Sequence, residues 1–327
     1  MRGVEPQHPG RARALLRLGA LCVLLLGTLL PSLTPRRTQA GEGGEGERIL
    51  AIYLPGVYFA QLENKVELGH ELANYIAAQM GDRFRLTPRV YAALDALDAD
   101  AGRVVLGLLE APLVAARLSS LQPVQVAIAG AGGSSEARLQ VLASSNIKSL
   151  ADLRASKLHY ALAMDSPLSF FENVLFEGEL PLARDRLVSA RDVSSLLSLA
   201  SLRKADAIVL YEDDAAQAQK AGLRPLFTGG SLPRPTLVVF DRRVAAADVA
   251  RLRDVMTGFK SASQPSLRSF RATGEAPYQT LRGRAERRPR RLPPLLELDE
   301  DAAPLPLPHA PSAPPRVPIT TYAPEVD

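Results

Sequence analysis

Between residues 49 and 271 short apolar runs alternate with amphipathic ones, and no other feature narrows the fold as much. Runs such as 49–54 (ILAIYL), 103–109 (RVVLGLL) and 207–211 (AIVLY) are short and wholly apolar or nearly so, which suits strands buried on both faces. Further strands are expected at 84–91, 124–129, 138–144, 157–163, 186–189, 224–227 and 236–240. Helices are expected over 58–80, where Leu62, Val66, Leu72 and Ile76 recur at helical spacing, and from Pro112 onward. More follow at 149–155, from 166–169 onward, and at 193–204, 215–221 and 246–259, with 266–271 as part of a last helix. Strand and helix in turn predict an α/β fold with largely parallel sheets, in one or two lobes over residues 48–281. Gly130–Gly133 breaks a strand without dinucleotide-loop spacing and reads as a plain turn.

The two ends differ from this body. Arg2, Arg11, Arg13 and Arg17 precede the apolar run 18–30, and Thr38-Gln39-Ala40 offers a small-residue cleavage site before Gly41. That order predicts a signal peptide over residues 1–40 and a periplasmic or secreted chain, with an uncleaved N-terminal anchor as the alternative. Residues 41–47 form a Gly/Glu linker. Residues 282–327 are Arg-rich, then acidic, then densely punctuated by proline, and read as a disordered or polyproline-like tail.

Charge and chemistry exclude several functions. Six of the 39 basic residues but one of the 35 acidic residues lie in residues 1–40, so the remainder is formally −1. Charge therefore supports no nucleic-acid partner. The only cysteine, Cys22, sits in the apolar run, so a cleaved chain has no thiol chemistry. His70 and His159 are the histidines of the body, and no HxxxH, HExxH or Cys/His cluster accompanies them. Neither a G-x-S-x-G elbow nor a Walker loop is present. No catalytic residue, metal or cofactor is expected, and a hydrolase using a serine and a distant histidine has no motif behind it.

Binding residues are sought where strands end, since open α/β sheets place their crevice at carboxyl edges. Tyr53 and Tyr58 follow the first strand, as packing residues or as groups that stack on a ligand. Glu110 follows 103–109, as a cation ligand or a solvated loop acid. Tyr211, Glu212 and Asp213 follow 207–211, as an amine or metal site or as helix N-terminal acids. The segment 149–171 (SLADLRASKLHYALAMDSPLSFF) is strand, hydroxyl-bearing turn and helix start, which is the recipe for an anion site. Ser166 and Ser169 can donate to a ligand there, and Ser166 or Asp165 also suits the N-cap.

ILAIYLP, RLQVLAS, SLADLRASKLHYALAMDSPLS, ADAIVLYEDDAAQ, LRPLFTGGSLPRPTLVVFDRRV and FRATGEAPYQTL, in this order, resemble the type II periplasmic solute-binding proteins, most closely their phosphate/phosphonate branch. The resemblance covers residues 48–281. It implies a two-lobed fold, with lobe 1 at about 48–133 and 240–281 and lobe 2 at about 138–235. It also implies a phosphate- or phosphonate-like ligand taken by hinge closure, an inner-membrane ABC permease as partner, and a monomer. Ala155 stands where the family usually has glycine, and Pro167 removes one backbone donor from the turn. The tail fits a second reading, a binding domain repurposed as an envelope interaction or sensory protein.

Overall fold

The computed structural model describes residues 46–128, 132–155, 160–162, 168–180 and 187–287. Strand β1 (Ile49–Tyr53) is buried along its whole length, as its unbroken apolar run requires. Helix α1 (Leu62–Met80) follows and ends at Gly81, whose φ of 84° few side chains tolerate and whose N–H bonds to the Ala77 carbonyl. The helix starts later than the spacing suggested. Leu62 and Val66 are exposed, and the buried face is Leu68, Leu72, Ala73, Ile76 and Met80.

A 3₁₀ turn, Asp82–Phe84, takes the start of the next expected strand, leaving β2 as Thr87–Val90. A short helix α2 (Leu94–Ala99), not anticipated from sequence, leads to β3 (Val104–Leu109), α3 (Ala111–Ala116) and β4 (Gln122–Ile128). The chain then crosses along β5 (Ser134–Leu142) to α4 (Leu150–Ala155). Ser149 and Asp152 open α4 as a reciprocal capping box. The Asp152 carboxylate accepts the Ser149 N–H at 2.9 Å, and Ser149 Oγ accepts the Asp152 N–H at 3.3 Å.

Strand β6 (Tyr160–Leu162) and helix α5 (Leu168–Phe170) follow, the latter continuing as a π-helical turn, Phe171–Leu175. Next come β7 (Leu187–Ser189), α6 (Val193–Ser201), β8 (Ala207–Tyr211), a 3₁₀ turn at Glu212–Asp214, α7 (Ala215–Lys220) and β9 (Leu223–Pro233). Asp192 caps α6 by accepting the Ser195 N–H at 2.7 Å. The chain returns through β10 (Thr236–Val239) to α8 (Ala246–Met256), β11 (Ser269–Ala272) and α9 (Ala276–Glu286).

Two sheets result, ordered β11-β4-β10-β3-β1-β2 and β7-β6-β8-β5-β9. They are mixed rather than largely parallel. β1, β2 and β3 run parallel, as do β6, β7 and β8. The strands that carry the chain between sheets, β5, β9 and β10, pair antiparallel with their neighbours because each reverses the chain's direction. The helix expected at 266–271 is instead a 3₁₀ turn, Pro265–Leu267, and edge strand β11, whose Phe270 pairs with Ala127.

Side-chain alternation along β1 divides the core. Leu50, Ile52 and Leu54 pack with Leu68, Leu72 and Ile76 of α1 and Leu252 of α8. Ile49, Ala51 and Tyr53 belong to a second cluster that runs on into the other sheet through Leu139, Val141, Phe171 and Val174. Helix α9 joins this shared core by Tyr278 and Leu281, both buried. It continues past Leu281, where the tail was expected to begin. Its last turn is held because Arg284 donates to the Val174 carbonyl at 3.2 Å and pairs with Glu177 at 3.3 Å. The π-helical turn lies so close to β9 that a Cβ on Gly229 would sit 1.8 Å from the Leu175 carbonyl oxygen.

Candidate functional site

The carboxyl ends of β1, β3 and β8 meet at a cavity beside the crossing segments. Gly56, Glu110 and Ala111 line it from the first lobe, and Tyr211, Asp213 and Asp214 from the second. Ser135 of β5 and Arg234, just past β9, form its hinge side.

Glu110 occupies the N-cap position of α3, where Pro112 fits the first turn because its missing N–H is not needed there. Its carboxylate accepts the backbone N–H of Gly56. Space at Gly56 is tight, since a Cβ there would sit 3.1 Å from both Glu110 Oε2 and the Tyr211 ring. Burial, then the charges of Glu110 and Asp214, push the Tyr211 hydroxyl well above its ordinary range.

Asp214 is buried and its carboxyl is pushed up to about 7 by desolvation, which the backbone N–H of Tyr58 only partly offsets. Tyr58 thus ties the first lobe to the second, and its side chain packs on the core cluster of Val193, Leu196 and Ile208. Gln264 fixes the same residue by donating to its carbonyl at 2.7 Å.

Two cations serve this acidic cleft. Lys65 of α1 donates to the Leu54 carbonyl at 3.0 Å and lies 5.0 Å from the Phe59 ring centre. Burial lowers its pKa, against the opposing charges of Glu110 and Asp192. Arg234 pairs with Asp213 and is almost wholly buried. Its pKa is lowered by burial, with the Glu212 charge acting the other way.

Of the residues expected from sequence, Glu110 and Tyr211 meet at the cavity. Tyr58 sits beside it through its backbone contact with Asp214. Tyr53 is buried in the shared core and does not line the cavity. Glu212 turns away to bind Arg138 at 2.8 Å, and Asp213 and Asp214 take the place expected of it. Ser169 is half-buried in α5 and outside the cavity lining, while Asp165 and Ser166 lie outside the described residues. Sequence reasoning missed Lys65, Ser135, Asp214 and Arg234. The first is hidden in an ordinary helix pattern, and the two hinge residues are adjacent only after β5 and β9 pair. Among the described residues no cluster of His, Cys, Asp and Glu is arranged to hold a metal. No described helix is long and apolar enough to cross a membrane.

No protein-family model matches this chain, and no curated protein matches its sequence. Solved structures do share its fold. A binding protein component of an ABC phosphonate transporter from Pseudomonas aeruginosa superposes with a TM-score of 0.57 at 13% identity, covering 72% of this chain and 85% of that one. PhnD1 from Prochlorococcus marinus, solved in complex with methylphosphonate, gives a TM-score of 0.55 at 12% identity over 72% of this chain and 96% of its own. A Xanthomonas citri protein solved with ATP bound gives a TM-score of 0.55 at 17% identity, over 73% and 97%. With these likenesses and its own two crossed sheets, the chain has the two-lobed α/β fold of the type II periplasmic solute-binding proteins.

Proposed function

We propose that the chain is an exported solute-binding protein that takes a small polar ligand between its lobes and presents it to an ABC permease. One observation carries this reading. Both lobes and both crossing segments contribute side chains to a single cavity at the carboxyl ends of the strands. A ligand seated there would touch both lobes and so stabilise the closed state over the open one, which is the energetic requirement for capture by hinge closure. The phosphonate-transport proteins of the same fold support a phosphonate-like oxyanion as ligand.

The lining adds a condition. Glu110, Asp213 and Asp214 outnumber Arg234 around the cavity, which supports a ligand bearing a protonated or hydrogen-donating group besides its oxyanion. In this reading Glu110 and Asp214 accept from that group and Tyr211 closes over it. Calorimetric titration of the full chain with aminoalkylphosphonates, methylphosphonate, phosphate and amino acids tests this. Saturable 1:1 binding, weakened about tenfold by Glu110→Gln, is expected for the loss of one charged hydrogen bond. Unchanged affinity in that variant removes Glu110 from the site.

A further inference from the structure

The hinge side of the cavity holds two donor atoms that the described residues leave unpaired. Ser135 and Arg234 are 5% and 7% exposed, and both line the cavity. Ser135 Oγ and Arg234 Nε have no hydrogen-bond partner among the described residues. A buried donor without a partner is destabilising, so folded proteins leave few, and those at a cleft are candidates for ligand contact.

Their placement is a consequence of strand register. Ser135 of β5 pairs with Leu232 of β9, and the Arg234 N–H bonds to the Gly133 carbonyl at 2.9 Å. Side chains two residues apart on an extended strand share a face, so Arg234 lies on the same face as Leu232 and diagonally beside Ser135. The guanidinium is oriented from its far end, where Nη1 holds Asp213. That leaves Nε free to donate elsewhere, and the fork geometry of arginine suits an oxyanion.

We infer that Ser135 and Arg234 form an oxyanion subsite in the hinge, with Asp213 as the residue that orients the guanidinium. This deepens the proposed solute-binding function and rests on it. The subsite belongs to neither lobe's strand edge but to the segments that bend when the lobes part. An anion bound there ties β5 to the end of β9 and stiffens the hinge as the cleft closes.

The test titrates the full chain, as isolated from an exporting host, with inorganic phosphate and with methylphosphonate. Ser135→Ala removes a hydroxyl that bonds to nothing described, so its melting temperature should be no lower than that of the wild type. Arg234→Lys keeps a charge for Asp213 but loses the planar fork. Both variants should bind the better probe about tenfold more weakly or worse, while Glu63→Gln, exposed on α1 and outside the cavity, should not. Unchanged affinity in Ser135→Ala and Arg234→Lys, with the wild type binding normally, overturns the hinge subsite and leaves solute binding standing. A wild-type chain that binds neither probe nor any solute overturns both. Should Arg234→Lys fail to fold, Ser135→Ala alone decides, since an unpartnered hydroxyl has no structural role to confound it.

Discussion

The side-chain amide of Asn173, in the second lobe's π-helical turn, donates to the carbonyl of Ala285 at 3.1 Å and also to that of Arg287. It thereby satisfies carbonyls at the end of α9 that no intrahelical N–H reaches. The start of the same helix is tied elsewhere, where the Tyr278 hydroxyl meets Thr236 Oγ1 at 2.5 Å at the start of β10. Helix α9 therefore bridges the two lobes. Asn173→Ala should destabilise the fold by about 1 kcal/mol, lowering the melting temperature by about 2–4 °C for a domain of this size. Differential scanning calorimetry checks this, and an unchanged midpoint would show that the cap contributes nothing.

Glycine does different work at two places in the same region. A Cβ on Gly229 would fall 1.8 Å from the backbone oxygen of Leu175, and backbone cannot step aside as a side-chain tip can. Gly229→Ala should cost about 3 kcal/mol or more or prevent folding. Gly283, inside α9, has open space where its Cβ would be. Gly283→Ala should stabilise by about 0.5–1 kcal/mol by raising helix propensity. Chemical denaturation of the pair reads both signs, and equal effects would contradict the close approach of β9 to the π-helical turn.

Asp214 makes stability depend on pH in the neutral range. Its folded pKa of about 7 lies above the ordinary carboxylate value of 3.8, so the folded chain holds this proton more tightly than the unfolded chain does. Stability from this group is fully present below about pH 4 and is lost as pH rises through 7. The total is on the order of a few kcal/mol. Asp214→Asn should keep constant stability from about pH 4.5 to pH 7.5 where the wild type weakens, as read by urea midpoints at each pH. Parallel profiles would show that Asp214 titrates normally.

The order of strands was legible because β1, β3 and β8 are fully apolar and helices separate them; that order carried the α/β class, while the two lobes came from the family resemblance. Boundaries failed where local geometry competes with periodicity. Pro265 starts a 3₁₀ turn and the next residues pair at a sheet edge, so a helical pattern at 266–271 could not hold. Glu110 and Tyr211 were legible as strand-end residues. Ser135 and Arg234 were not, because nothing local distinguishes a serine and an arginine that become neighbours only through the pairing of β5 with β9, far apart in the chain. Within the 3₁₀ turn Glu212–Asp214, Glu212 points out to Arg138 while its two successors line the cavity, a rotation that no local sequence signal reveals.

Thermal unfolding of the full chain in the presence of phosphate, phosphonates, sulfate, amino acids and polyamines tests the central claim most directly. A ligand at 100 times its dissociation constant adds about 2.7 kcal/mol, which is several degrees at this size. Capture between the lobes predicts a saturable upward shift for one chemical class, lost in Glu110→Gln. No shift across the panel, at concentrations up to the millimolar range, would contradict it.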